Sequence, residues 1–179
     1  MQIIQRVRLI QFQINMTNKI SRLGLLLALA FILSYLESLI PITLAIPGIK
    51  LGLANIVLVY ILIKYGFSEA ILIATVRNLL VAVTFGNFSL FIYSMAGSFL
   101  SIIFMTLLKN IKFNKKQVFG ITGISLIGGV MHNVGQIIVA ILTISNINLL
   151  YYLPILVLAG AITGFIIGLI VEQVIKYKY

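Results

Sequence analysis

The sequence predicts an all-α integral membrane protein, a bundle of six transmembrane helices with both termini in the cytoplasm. Three observations predict it. Of 179 residues, 61% are hydrophobic and 9% charged, with a mean hydropathy of +1.19; a soluble domain carries about 25% charged residues to wet its surface. The apolar runs are continuous, without a period of two, so helices and not a barrel satisfy the backbone in lipid. Basic residues dominate the few charges, giving a formal net charge of +10, and they cluster between the apolar runs. In a membrane protein such clusters are topology signals, a simpler reading than nucleic-acid binding. The length suits one compact unit: residues 19–179 form a single six-helix membrane domain, preceded by a cytoplasmic or interfacial segment, 1–18.

The first helix is expected from about Ser21 to Ile40, stopped by Pro41. No small-x-small cleavage site follows it, which argues against a signal sequence. Upstream, Ile3, Val7, Ile10 and Ile14 would share a helical face. That suits an interfacial amphipathic helix, or else the start is set too early and Met16 is the true beginning. Residues 41–50 hold two of the three prolines and form a structured loop. Between Lys50 and Lys64 lie 13 uncharged residues, which span roughly 20 Å of a ~30 Å hydrocarbon core; the lysines make up the difference by snorkelling. A break at Lys64, Tyr65 and Gly66 leads to a third helix, about Phe67 to Phe85, and a fourth runs from about Phe88 to Leu108. After the basic segment Lys109 to Lys116, 55 residues carry no Lys, Arg, Asp or Glu. The polar stretch Ser145, Asn146, Ile147, Asn148 divides them into helices five and six.

Six spans put both termini on one side. That side gathers eleven of the thirteen basic residues: Arg6, Arg8, Lys19, Arg22, Lys64, the four lysines of the 109–116 segment, Lys176 and Lys178 among them. Lys50 falls opposite and Arg77 is embedded. The crowded side is cytoplasmic by the positive-inside rule, which makes this a multi-pass protein of the cell membrane.

Polar groups inside lipid are costly and mark function. Glu37, Lys50 and Asn55 lie at the outer ends of helices one and two. Arg77 and Asn78 lie near the midplane of helix three, Asn87 at the outer 3–4 turn, and His132, Asn133 and Gln136 in the outer half of helix five. All lie at or above the midplane, as the lining of an outward-facing pocket would. Lys50 and Arg77 against Glu37, with a titratable His132, lean toward an anionic or mixed-charge small ligand. Two explanations of Arg77 stand side by side: it pairs with Glu37, or it grips an anionic ligand. Small residues form the other pattern. Gly160, Gly164 and Gly168 repeat on helix six, and Gly24/Ala28 and Ala30/Ser34 do so on helix one. Such ridges pack helices closely, within the bundle or against a second membrane subunit.

The chain contains no aspartate and no cysteine. It therefore lacks the Asp-rich magnesium site of prenyl-diphosphate chemistry, any acidic metal cage and any thiol chemistry. It has no Gly-rich phosphate loop of the ATP-hydrolysing kind. One histidine and one outer carboxylate do not make a triad. No catalytic residue, no metal site and no enzymatic activity are expected.

A proline-containing loop leading into Gly48-Ile49-Lys50-Leu51-Gly52-Leu53-Ala54-Asn55-Ile56 resembles the substrate-binding S components of energy-coupling-factor (ECF) vitamin transporters. With Val76-Arg77-Asn78-Leu79 and Met131-His132-Asn133-Val134-Gly135, the chain resembles more narrowly the membrane family of heptaprenyl diphosphate synthase component I, also called the Gx transporter family. The resemblance covers roughly Asn18 to Lys176. It implies an S-component-like fold, an outward-open ligand pocket, and a membrane coupling subunit with a cytoplasmic ATPase pair as partners. By the same resemblance, small residues on helix one contact that subunit, with Gly24, Ala28, Ala30 and Ser34 as candidates. Arg77 and Asn78 stand where many S components are acidic, which speaks against a cationic vitamin. A flavin nucleotide or a quinone precursor is the ligand class it suggests; no resident cofactor is expected. The competing readings are a non-catalytic membrane subunit of a flavin- or quinone-linked electron-transfer system, and an accessory subunit of prenyl-diphosphate metabolism.

Overall fold

The computed structural model describes residues 2–40, 52–113 and 116–177. The whole proline-containing loop, 41–50, with Lys50 at its end, lies outside them. Six α-helices carry the fold: α1 (Gln2–Ser38), α2 (Leu53–Lys64), α3 (Phe67–Thr84), α4 (Phe88–Asn110), α5 (Ile121–Ile144) and α6 (Leu153–Lys176). Five of them are long and apolar enough to cross a membrane, so the chain is a multi-pass membrane protein. The sixth, α2, has 12 residues and is roughly 18 Å long. It is apolar on every side, with Val57, Leu58 and Val59 all buried, as suits a helix enclosed by others. The expected count of six full spans is therefore five long helices and one short one among the described residues.

Element ends follow local chemistry. Gly66, at φ 115°, opens α3 in a conformation that favours glycine. The Asn87 side chain accepts the Leu90 N–H at 2.8 Å and caps α4. Between α4 and α5 the basic segment makes a two-stranded antiparallel ribbon, β1 (Lys112–Phe113) with β2 (Lys116–Gln117). The expected break at 145–148 is there: Ser145 adopts φ 54° and Asn146 caps a two-turn 3-10 helix, Ile147–Tyr152. Exposed Tyr151 and Tyr152 on that helix suit a membrane–water interface. One start differs from expectation. Helix α1 begins at Gln2 and not near Ser21, and runs unbroken to Ser38, because nothing between those residues stops a helix: there is neither proline nor glycine before Gly24.

Side-chain contacts sort the helix ends into two layers. Lys19 on α1 pairs with Glu69 at the start of α3, Lys109 at the end of α4 reaches the end of α2, and Thr122 at the start of α5 bonds Glu172 near the end of α6. At the other end, Glu37 accepts the Gly52 N–H, Phe85 packs on Phe31 and Tyr35, and Tyr93 meets Thr143. The helices thus alternate in direction, and α1 enters and α6 leaves at the basic end. Neighbour packing closes a ring in the order α1, α3, α4, α5, α6, α2. The ring is filled unevenly. Near the basic end Ile61, Leu62, Ile102, Ile124 and Val171 form a fully buried apolar core. The opposite half is hollow.

Candidate functional site

The hollow is a cavity of about 340 Å³ to which all six helices contribute, toward the lower end of the range for small-molecule pockets. Seven of the nine residues singled out in the sequence line it: Glu37, Asn55, Arg77, Asn78, His132, Asn133 and Gln136. Lys50 lies outside the described residues. Asn87 is not in the lining; its side-chain oxygen caps α4 by accepting the Leu90 N–H.

Each side chain is placed by its helix. Arg77 and Asn78 sit about two turns below the C-terminal end of α3, and both are buried, Arg77 to 7% exposure. The Arg77 guanidinium donates from Nη2 to Asn78 Oδ1 at 2.6 Å, and Asn78 Nδ2 donates to Ser98 Oγ at 3.2 Å. A guanidinium at such depth costs about 2.5–3.5 kcal/mol on insertion scales unless it is matched. Glu37 acts on it from a distance, without a direct ion pair. Among the described residues the ion pairs are Lys19–Glu69 and Lys176–Glu172, and no carboxylate lies within 4.0 Å of Arg77. Glu37, near the end of α1, instead accepts the backbone N–H of Gly52. Gly52 takes φ 71°, so glycine permits the turn that aims this N–H.

Helix α5 brings the remaining polar groups. Its one-sided contact with α4 and α6 turns His132, Asn133 and Gln136 toward the cavity. Asn133 also donates to the Leu156 carbonyl at 2.6 Å, so it ties α5 to α6 as well as lining the site. His132 lies against Gly97 of α4, whose missing side chain makes room for the ring.

The sequence reading missed a row of hydroxyls. Ser94, Ser98 and Ser101 of α4 line the cavity, with Ser125 of α5 and Thr163 of α6. Their signal was there: 94, 98 and 101 fall at the i, i+4, i+7 spacing of one helical face, in a helix otherwise apolar. The Ser125 hydroxyl and Arg77 Nε are buried with no hydrogen-bond partner.

The small residues of α1 divide. Gly24 and Ala28 are exposed, and a methyl group at Gly24 would meet nothing within 4 Å. Ala30 is fully buried, and Ser34 lines the cavity with its hydroxyl on the Ala30 carbonyl. Ala30 and Ser34 therefore face into the bundle: a four-residue repeat marks a face without saying which way it points. Among the described residues no three of His, Cys, Asp and Glu gather as a metal site would need. What the cavity can do is hold, in a low-dielectric wall, a molecule that offers an acceptor to Arg77 and hydroxyl partners to the serines.

The family described as heptaprenyl diphosphate synthase component I matches the chain over residues 26–174. No curated protein and no solved structure is significantly similar to it.

Proposed function

The chain belongs to the heptaprenyl diphosphate synthase component I family, and from that membership and the cavity we propose that it is a substrate-capturing membrane subunit, comparable to the S component of an ECF-type transporter. Its ligand is a small anionic or mixed-charge molecule, of the size of a flavin or quinone precursor fragment. The observation that carries this reading is Arg77, nine-tenths buried in a mainly apolar cavity with a guanidinium nitrogen unmatched. A site that joins Arg77, Glu37 and His132 with several hydroxyls and amides suits the holding of a charged or polar small molecule, and we propose no turnover for the chain itself. Its partners in this reading are a membrane coupling subunit and a cytoplasmic ATPase pair. The exposed Gly24/Ala28 stretch of α1 is the surface offered to the first.

The basic end is assigned to the cytoplasm by the positive-inside rule, with the short α2 completing a sixth pass, so the cavity faces out. Reporters fused after Lys116 and after α6 should read cytoplasmic and one at Asn146 outside; a cytoplasmic signal at Asn146 overturns both the passes and the direction of the cavity.

Capture is tested by native mass spectrometry of the protein purified in lipid nanodiscs from its own membrane. Wild type should carry a small-molecule adduct that Ser94→Phe, which fills the cavity between α4 and α5, abolishes without loss of folding. Absence of any adduct in wild type counts against capture. A second reading is favoured by the family description itself: a non-catalytic accessory subunit in prenyl-diphosphate or quinone metabolism. Co-purification of a soluble Asp-rich synthase, in place of an ATPase pair, would select it.

A further inference from the structure

The cavity has two ends of unlike chemistry. Arg77 lies seven residues before the end of α3, about 10 Å below it, whereas Glu37 sits one residue from the end of α1. At the deep end Arg77 Nε has no hydrogen-bond partner, and the one bond its guanidinium makes in the described structure goes to the neutral carboxamide of Asn78. Across the cavity on α5 the Ser125 hydroxyl, 2% exposed, also lacks a partner. Buried donors are rarely left unmet, and a guanidinium offers five of them in a fixed fork. The unmet guanidinium nitrogen calls for an acceptor of the carboxylate or phosphoryl kind, which Arg grips in two places. At the shallow end Glu37 accepts a backbone N–H and has no basic side chain within 4.0 Å among the described residues. Beside His132, the charges of Arg77 and Glu37 therefore balance across the cavity without forming a direct ion pair. A simple anion would satisfy Arg77 and confront Glu37; a simple cation would do the reverse.

We infer that the cavity takes a small amphoteric molecule, its anionic group inward against Arg77 and the serine hydroxyls and its cationic or N–H-donating end outward toward Glu37. This rests on the capture reading and adds its polarity. Three four-carbon probes of equal length separate the cases: 4-aminobutyrate, succinate and 1,4-diaminobutane, each tested by thermal unfolding of the full chain in nanodiscs. The aminobutyrate should raise the melting temperature of wild type more than either symmetric probe. Arg77→Met should abolish that rise; Arg77→Lys, which keeps the charge and loses the fork, should weaken binding about tenfold and serves if the methionine variant does not fold. Glu37→Gln should shift the preference to succinate. Equal or better protection of wild type by succinate or the diamine overturns the inference, as does protection that Arg77→Met and Arg77→Lys leave unchanged. If the diamine binds and Ser94→Phe blocks it, the polarity is wrong and capture survives. If no probe binds although wild type carries a native adduct, the amphoteric assignment fails alone; if neither probe nor adduct is found, capture fails with it.

Discussion

The two sides of the ring are built differently. On one side α5 touches its neighbours backbone to backbone: a methyl group at Gly129 would collide with the Gly160 carbonyl oxygen, one at Gly164 would stand 2.6 Å from the Ser125 carbonyl, and one at Gly135 2.7 Å from the Ala96 carbonyl. On the other side α1, α2 and α3 meet through side chains: Leu23, Ala30, Val57 and Ile73 in the core, the Lys19–Glu69 pair and the Phe31, Tyr35 and Phe85 rings. In lipid, where apolar burial drives little association between helices, close backbone approach gives dense dispersion contact that leucine-on-leucine packing does not. The α4–α6 side is thus the fixed wall of the cavity. The α1–α3 side, which carries Glu37 and Arg77, rests on interdigitated side chains that have rotamers to trade.

The largest expected effect tests that wall. Gly129→Ala adds a carbon that meets only backbone, the Gly160 carbonyl group and the Gly164 Cα at 3.1 Å. None of those atoms has a rotamer to move. Overpacking of a core costs about 1–3 kcal/mol and occasionally more, and this substitution should sit at the top of that range, read as a fall in melting temperature in detergent. Gly24→Ala is the matched control on α1. Nothing lies within 4 Å of the added methyl, so the change should stay within ~0.5 kcal/mol or stabilise by up to ~1 kcal/mol through helix propensity. Similar losses at both positions would erase the distinction between the two sides.

Most of the helical frame is legible in the sequence, because charges and glycines punctuate it. Lys64 and Gly66 bound α3, and Ser145 and Asn146 separate α5 from α6, close to where the expectation placed them. Three things were not legible, each for a physical reason. The true start of α1 lacks a stop signal, so the helix continues through polar residues that a hydropathy reading discards. The direction of a small-residue face depends on which neighbour packs there, and Ala30 and Ser34 turned inward. Serine is uncharged and tolerated in an apolar helix, since its hydroxyl can bond the preceding turn, so the 94, 98, 101 row drew no attention beside Arg77 and His132. Arg77 itself was visible because an ionisable side chain within an apolar membrane helix is rare and costly. Its separation from Glu37 was not, since spacing along the chain does not measure distance between α1 and α3.

The smaller effect concerns the joint between the two sides. Helix α2 ends at Lys64, so its last four carbonyls have no partner within the helix. Ile61 O is met by the N–H groups of Tyr65 and Gly66. Leu62 O and Ile63 O are met by the Lys109 ammonium of α4, at 2.7 and 3.1 Å. That ammonium also stands at the negative end of the α2 dipole, where a cation is favoured. Lys109→Met keeps most of the aliphatic stem and deletes the donor, leaving two partly buried carbonyls unmet. The expected loss is about 1–3 kcal/mol, below that of Gly129→Ala, because water at the basic end can replace part of what is lost. Lys112→Met, exposed on the ribbon, should change stability by less than ~0.5 kcal/mol and controls for the loss of one positive charge. A Lys109→Met loss as large as that of Gly129→Ala would mean that one ammonium joins α2 to α4 as firmly as glycine contacts join α5 to α6. A loss no larger than that of Lys112→Met would mean that water or the neighbouring Lys64 caps α2 unaided, and that the short helix is held by its buried apolar faces alone.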